Sequence, residues 1–205
     1  MRLFVGLGNP GSRYAKNRHN VGFMALEAIA NRHAFAPFKA RAKFEGEIAE
    51  GELGSERVIA LKPQTYMNES GRAVAALGRF HRIVPEHMIV FYDELDLAPG
   101  KVRVKRNGGN AGHNGLESID EHIGKDYWRV RIGIGHPGAR ELVTPYVLSN
   151  FFADDRAWLE ATLSAIAAHA ALLATGDPNR FMTNVARATA EVRQAGENDE
   201  PGDGP

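Results

Sequence analysis

Five side chains of catalytic type stand far apart in the chain: Asn9, His19, Asn68, Asp93 and Asn114. One imidazole, one carboxylate and three amides make a set for hydrolysis with water as the nucleophile. A neutral imidazole takes a proton from water, and a carboxylate holds the other ring nitrogen and stabilises the imidazolium. The amides place the water or donate to a developing oxyanion. General-base action supplies about 10²–10⁴-fold and one oxyanion donor about 10²–10³-fold, which suits an activated ester better than an amide or a phosphodiester. The chemistry requires no metal or cofactor. The chain has no cysteine, which removes thiol nucleophiles, Cys-ligated zinc and iron–sulfur clusters together. Ser12 lies near His19 in sequence but has no nucleophile-elbow context, so a covalent route ranks below direct attack by water.

For these residues to act together, the fold must place them in one cleft. Leu3-Phe4-Val5 reads as a buried strand ending at Gly6, and from Val21 the apolar residues Phe23, Leu26, Ile29 and Ala30 recur at helical spacing. Residues 44–53 and 57–61 read as two strands joined by a turn at Gly54-Ser55, followed by a helix over 72–81. Residues 88–92 form the most apolar strand, and 101–106 alternate basic residues with valine. Residues 115–123 read as a helix, 128–134 as a strand and 154–175 as a long helix. The stripe Leu159, Leu163, Ile166, Ala170 and Leu173 in that last helix is too short for a coiled coil and reads as core-facing. Strands alternating with helices predict a single α/β domain over residues 1–190, a twisted mixed sheet between helical layers in three-layer α/β/α form. In an open sheet of this kind ligands bind beyond the carboxyl ends of the strands. Asn9, Asp93 and the loops leading to His19, Asn68 and Asn114 all lie at such ends.

Other motifs compete with this reading. Gly6-Leu7-Gly8-Asn9-Pro10-Gly11 matches the dinucleotide fingerprint by letters, but Pro10 removes an amide that would hold pyrophosphate and no helix opens there. Gly133 to Gly138 repeats the form, so both read as tight turns and an oxidoreductase is set aside. Asp93, Glu94 and Asp96 suggest a hard-cation site, yet no fourth ligand is evident. Asparagines in loops commonly act as turn or cap residues, which is the plain alternative for Asn68 and Asn114. His113 and His136 lie in loops where each is either a turn residue or a substrate contact. The other histidines, His19 aside, sit in or beside helices and receive no role. In Lys101-Val102-Arg103-Val104-Lys105 the period of two puts three cations on one strand face, suited to phosphate or to protecting a sheet edge.

The blocks Gly6 to Gly11 with Tyr14 and Arg18-His19-Asn20, Lys62 to Gly71, Asp93-Glu94-Leu95-Asp96, Gly112 to Leu116 and Arg131 to Gly138 resemble, in content and order, the bacterial peptidyl-tRNA hydrolases. The resemblance runs from residue 2 to about residue 188. It implies cleavage of the ester between a peptide and the 3′-terminal ribose of tRNA, which returns tRNA to translation. It implies further that His19 is the general base and Asp93 its partner, with Asn9, Asn68 and Asn114 organising substrate and water. By the same resemblance Lys105 and Arg131 meet tRNA phosphates, with Lys101 and Arg103 as weaker candidates. Tyr14 and Tyr66 are candidates for stacking on the single-stranded 3′ end. A non-catalytic RNA-binding relative of the same fold is the alternative, although such a binder has no use for a base and its orienting acid.

Composition sets the remaining expectations. Lys and Arg number 25 and Asp and Glu number 25, so the total charge hides an uneven distribution. Residues 1–26 carry four cations and no acid, while the last ten residues carry four acids and no base. The stretch 191–205 is expected to be a disordered acidic tail. No run approaches the roughly 20 apolar residues of a membrane helix. The expectation is a cytoplasmic monomer that needs no obligate protein partner and does not engage a membrane.

Overall fold

The computed structural model describes residues 1–192. A seven-stranded sheet runs in the order β2-β3-β4-β1-β5-β7-β6. Its strands are β1 (Arg2–Gly6), β2 (Lys39–Arg41), β3 (Gly46–Leu53), β4 (Glu56–Pro63), β5 (Met88–Glu94), β6 (Val102–Arg106) and β7 (Trp128–Gly133). Strands β4, β1, β5 and β7 are mutually parallel, while β2, β3 and β6 are antiparallel to their neighbours. The helices are α1 (Val21–Arg32), α2 (Ser70–His81), α3 (Asn114–Ile123), α4 (Val143–Val147), α5 (Arg156–Ala174) and α6 (Pro178–Ala188).

The central strands are apolar on both faces because both are covered. Phe4, Val58, Ala60, Ile89, Phe91, Val130 and Ile132 join a core with α1, α5 and α6. The alternate positions Leu3, Val5, Ile59, Leu61, Met88 and Val90 join a second core with α2 and α3. This is the expected three-layer mixed sheet. Leu159, Leu163, Ile166, Ala170 and Leu173 belong to the first core. By length and composition α5 alone among the described residues is apolar enough to cross a membrane, with a mean hydropathy of 1.4. Here it packs on α1, α6, β3 and β4 as a core helix.

The chain enters β1, turns back through α1 to the β2–β4 side, then crosses through α2 to β5 on the other side of β1. The carboxyl ends of β1 and β5 therefore flank a topological switch point. Glycine makes the approach there close. A Cβ on Gly22 would sit 2.3 Å from the Phe91 carbonyl oxygen and 2.5 Å from the Leu7 nitrogen. The glycines near residues 6 to 22 thus seat the start of α1 directly on the strand ends, which is their use in place of a nucleotide loop.

Three local readings change. Residues 42–44 form a 3₁₀ turn ending in left-handed Glu45 (φ 49°), so the strand begins at Gly46 and not at Phe44. The short elements β2 and α4, and the helix α6, were not anticipated. Helical backbone continues at Ala190 through Val192, so Glu191 and Val192 extend the folded part beyond its expected end at 190. The rest of the expected tail, 193–205, lies outside the described residues.

Candidate active site

His19 sits in a 3₁₀ turn, Arg18–Asn20, that feeds α1. Asn20 occupies the N-cap position of α1 but makes no side-chain cap bond. Its amide is spent on Asn9: Oδ1 accepts from the Asn9 backbone N–H at 3.0 Å and Nδ2 donates to the Asn9 carbonyl at 2.9 Å. The loop after β1 is thereby fixed to the histidine turn. The Asn9 side-chain Oδ1 accepts from the Met67 backbone N–H at 2.8 Å, which leaves its Nδ2 as the free donor. Met67 opens the 3₁₀ turn Met67–Glu69 that carries Asn68.

Asp93 is the penultimate residue of β5, the most buried strand, and its carboxylate is held between two imidazoles. His19 Nδ1 lies 2.9 Å from each carboxylate oxygen, and His113 Nε2 lies 2.9 Å from Oδ1. The tautomers follow from the other bonds. His113 Nδ1 caps α3 by accepting from the Gly115 and Leu116 N–H groups, so its proton sits on Nε2 and is donated to Asp93. His19 donates from Nδ1, which leaves Nε2 unprotonated and without a protein partner among the described residues. Burial works against charge on both groups. At His19 the charge and hydrogen bond of Asp93 outweigh it and hold the imidazole above its ordinary pKa. At Asp93 the two facing imidazoles outweigh it and hold the carboxyl below the usual carboxylate range.

The pair opens on a cavity of about 450 Å³ lined by His19, Asp93, His113 and Asn114, with Asn110 to Gly112 on one side and Arg140, Val143, Thr144 and Val147 on another. Asn114 is the first residue of α3 and exposed to this space. A Cβ on Gly115 would lie 2.6 Å from Met67 Sδ, so the turn carrying Asn68 abuts the start of α3. Asn68 is exposed on that turn and does not line the cavity itself. Tyr66 is exposed beside it, and Tyr14 is bonded by Arg13. His136 is an exposed turn residue on the cavity rim, bonding Gly138.

His19, Asp93 and His113 place three ligand-type atoms within 4.8 Å of one another. Their bonding makes them two donors sharing one acceptor, since both imidazole nitrogens that face Asp93 carry protons. The carboxylate row Asp93, Glu94 and Asp96 is also divided. Glu94 faces away from Asp93 and accepts from Arg131 Nε at 2.9 Å.

Alternation puts Arg103 and Lys105 of β6 and Arg129 and Arg131 of β7 on one sheet face, with Arg103 opposite Arg131 and Lys105 opposite Arg129. Like charges directly opposite destabilise a ladder. Two are neutralised internally: Arg131 by Glu94, and fully buried Arg129 by Asp120 at 2.8 Å. Lys105 and Arg103 have no ion pair among the described residues. Burial, then the charges of Arg131 and Arg129, pull the Lys105 ammonium below its usual pKa. Lys101 stands just before β6, partly buried.

Several functional features were not readable from sequence. His113, expected at most to touch substrate, holds Asp93 and caps α3 at once. Asn20 fixes Asn9, and α4 closes one wall of the cavity. For Asn20 the signal was present, an asparagine at a helix start, but its bond to Asn9 is a tertiary fact.

A buried imidazole–carboxylate pair, open to a cavity at the switch point of a parallel sheet and flanked by amide groups, defines a three-layer α/β/α protein of hydrolytic type. Residues 3–194 match the family model described as "Peptidyl-tRNA hydrolase". The chain is 59% identical to the peptidyl-tRNA hydrolase of Methylobacterium nodulans over 202 residues, covering 96% of this chain and 98% of that one. It is 57% identical to that of Acidiphilium cryptum, covering 94% of this chain and all of the other. The crystal structure of the Acinetobacter baumannii peptidyl-tRNA hydrolase superimposes with a TM-score of 0.86 at 39% identity, over 90% of this chain and 94% of that chain. The chain belongs to the peptidyl-tRNA hydrolase family and is an enzyme of that family.

Proposed function

We propose that the chain hydrolyses the ester between a peptide, or an N-blocked aminoacyl group, and the 3′-terminal ribose of tRNA, with His19 as general base. Water attacks the ester carbonyl carbon while its proton passes to His19 Nε2. The tetrahedral intermediate carries an oxyanion, met by the amide donor of Asn114, which lines the cavity, while Asn9 holds the Met67 turn beside it. Its collapse breaks the bond to the ribose oxygen, which takes the proton back from Nε2. The products are a carboxylic acid and tRNA with a free ribose hydroxyl. Asp93 keeps the His19 proton on Nδ1 and stabilises the imidazolium, and His113 holds Asp93 in place. The observation that carries this reading is the Nδ1 contact of His19 with Asp93, which leaves Nε2 as the acceptor facing the cavity. Cleavage of N-acetylaminoacyl-tRNA set against unblocked aminoacyl-tRNA, with chelator present, tests it: release from the blocked substrate alone is expected.

The base works only when neutral, so kcat/KM is expected to rise with pH through the His19 pKa. That pKa is held above its ordinary value, so the acid limb is expected above about pH 6.5. A rate profile whose acid limb lies well below that value contradicts the pairing.

For the tRNA body the reading assigns Lys105, Arg131 and Arg103 to phosphate contacts, with Lys101 at their edge. Support for Lys105 and Arg103 comes from their lack of an ion pair among the described residues on the edge strand β6, which a phosphate would relieve; Arg131, paired with Glu94, is assigned by the family resemblance. Phosphate contacts give affinity and register without reading sequence, as an enzyme accepting many tRNAs needs. Lys105→Ala is expected to raise KM and to reduce the slope of log affinity against log salt by about 1. An unchanged slope in a binding titration over a range of salt removes Lys105 from the interface. Asn68 and Tyr66 are assigned to the 3′ end by their exposed positions on and beside the Met67 turn, and half-buried Tyr14, bonded by Arg13, by the family resemblance. The reading takes the enzyme as a monomer acting without an obligate protein partner. The cytoplasm, where its substrate arises, is the proposed location.

A further inference from the structure

Arg18 immediately precedes the proposed base, is 2% exposed, and takes no part in the chemistry above. Its guanidinium leaves the histidine turn and enters the arm between α4 and α5. Nη1 donates to the Ser149 hydroxyl at 2.8 Å and to the Asn150 carbonyl, and Nη2 donates to the Asp155 carboxylate at 2.7 Å. The rings of Tyr146 and Phe152 stack on it, with centroids 4.5 and 4.6 Å from its central carbon.

The backbone joins the same two segments. The Arg18 N–H donates to the Ser149 carbonyl, the Phe151 N–H to the Lys16 carbonyl, and Asn17 bridges Asn150 in antiparallel fashion. The arm runs on directly from α4, whose Val143, Thr144 and Val147 line the cavity together with His19. Arg18 is therefore the one side chain rooted in the histidine turn whose charged end is built into the arm continuous with that α4 wall.

We propose that Arg18 is a positioning residue for ester cleavage, pinning the α4 wall of the cavity to the turn that bears His19. The inference rests on the reading of that cavity as the site of hydrolysis. With wall and base held together, the acyl group and the attacking water are confined within reach of Nε2. A misplacement of about 1 Å costs on the order of 10²-fold in rate. Lysine cannot substitute, because the task uses a planar fork bonded to three acceptors and stacked on rings, and an ammonium is a compact point charge. Affinity for tRNA should be little affected, since phosphate contacts on β6 and β7 supply it independently.

The test measures kcat and KM separately, with N-acetylaminoacyl-tRNA, for Arg18→Lys, Asp155→Asn and the double variant. Arg18→Lys is expected to lower kcat by about 10- to 100-fold with KM changed less than about threefold. Asp155→Asn is expected to lower kcat by a smaller factor, and the double variant to lose no more than Arg18→Lys alone. A kcat within about threefold of the wild type for Arg18→Lys, a loss confined to KM, or independent losses that multiply in the double variant overturns the proposal. If Arg18→Lys does not fold, Asp155→Asn decides by the same split. His19→Ala run in parallel separates the two readings: full turnover there removes the base assignment, while the Arg18 comparison with wild type keeps its meaning.

Discussion

Replacing His19 by alanine is expected to lower kcat for N-acetylaminoacyl-tRNA by about 10³-fold, within the range that general-base action carries. KM is expected to stay within about twofold, because His19 makes no contact on the basic face that the proposal assigns to tRNA. The mechanism explains the selectivity: the imidazole acts on the attacking water, whose proton moves only in the transition state. Alanine also leaves Asp93 with one donor, the His113 Nε2–H, so some loss of thermal stability accompanies the rate loss. Single-turnover kinetics with enzyme in excess separates the two effects, since folded enzyme then binds all the substrate. A kcat within about threefold of the wild type removes His19 from the role of base.

Asp93→Asn has the second large effect, a fall in kcat of about 10³–10⁴-fold, and its cause is a hydrogen-bond mismatch. Two N–H donors, from His19 Nδ1 and His113 Nε2, converge on the carboxylate. An amide has one acceptor oxygen and turns two donors of its own toward the other ring. His113 cannot change tautomer without breaking its cap on α3, so the His19 ring yields, placing its proton on Nε2 and accepting on Nδ1. In that tautomer Nε2 cannot accept a proton from water. Loss of the carboxylate also leaves burial unopposed at His19, so its pKa falls. The acid limb of the residual activity is therefore expected at lower pH than in the wild type. Rate profiles of both forms between about pH 5 and 9 check this, and coincident acid limbs count against Asp93 as the group that charges His19.

The sheet was readable because its strands obey simple periods. Leu3 to Val5 and Met88 to Tyr92 are continuous apolar runs of the kind parallel strands buried on both faces require. The 101–106 alternation marks an edge with one face on the core. What escaped was short or polar. β2 is three exposed residues, and α4 is five residues interrupted by Pro145, lengths at which no period can be counted. α6 did carry a signal in Asp177-Pro178, which cap its first turn through the Arg180 N–H.

The candidate site divides in the same way. Residue type marked His19, Asp93, Asn9 and Asn114, because strand-end position and chemistry agree for each. Roles that depend on which atom meets which were not legible. The cap and the Asp93 contact of His113, the bonds of Asn20 to Asn9, the pairing of Glu94 with Arg131, and the reach of Arg18 to Asp155 each join residues that sequence spacing cannot relate. Arg131 shows the difference: the resemblance put it among the phosphate contacts, and the fold supplies it with an internal carboxylate. Lys105 and Arg103 remain the unpaired cations of that face among the described residues.

At the centre stands one assertion, that an imidazole poised by Asp93 removes the proton from the attacking water. Following the His19 ring by NMR across pH, beside the rate of N-acetylaminoacyl-tRNA cleavage in excess chelator, tests it most directly. The expected result is one titration, above about pH 6.5, shared by the ring and the acid limb of kcat/KM, with full activity in the chelator. A ring that titrates apart from the rate, or activity that vanishes on chelation and returns with a divalent metal, would contradict it.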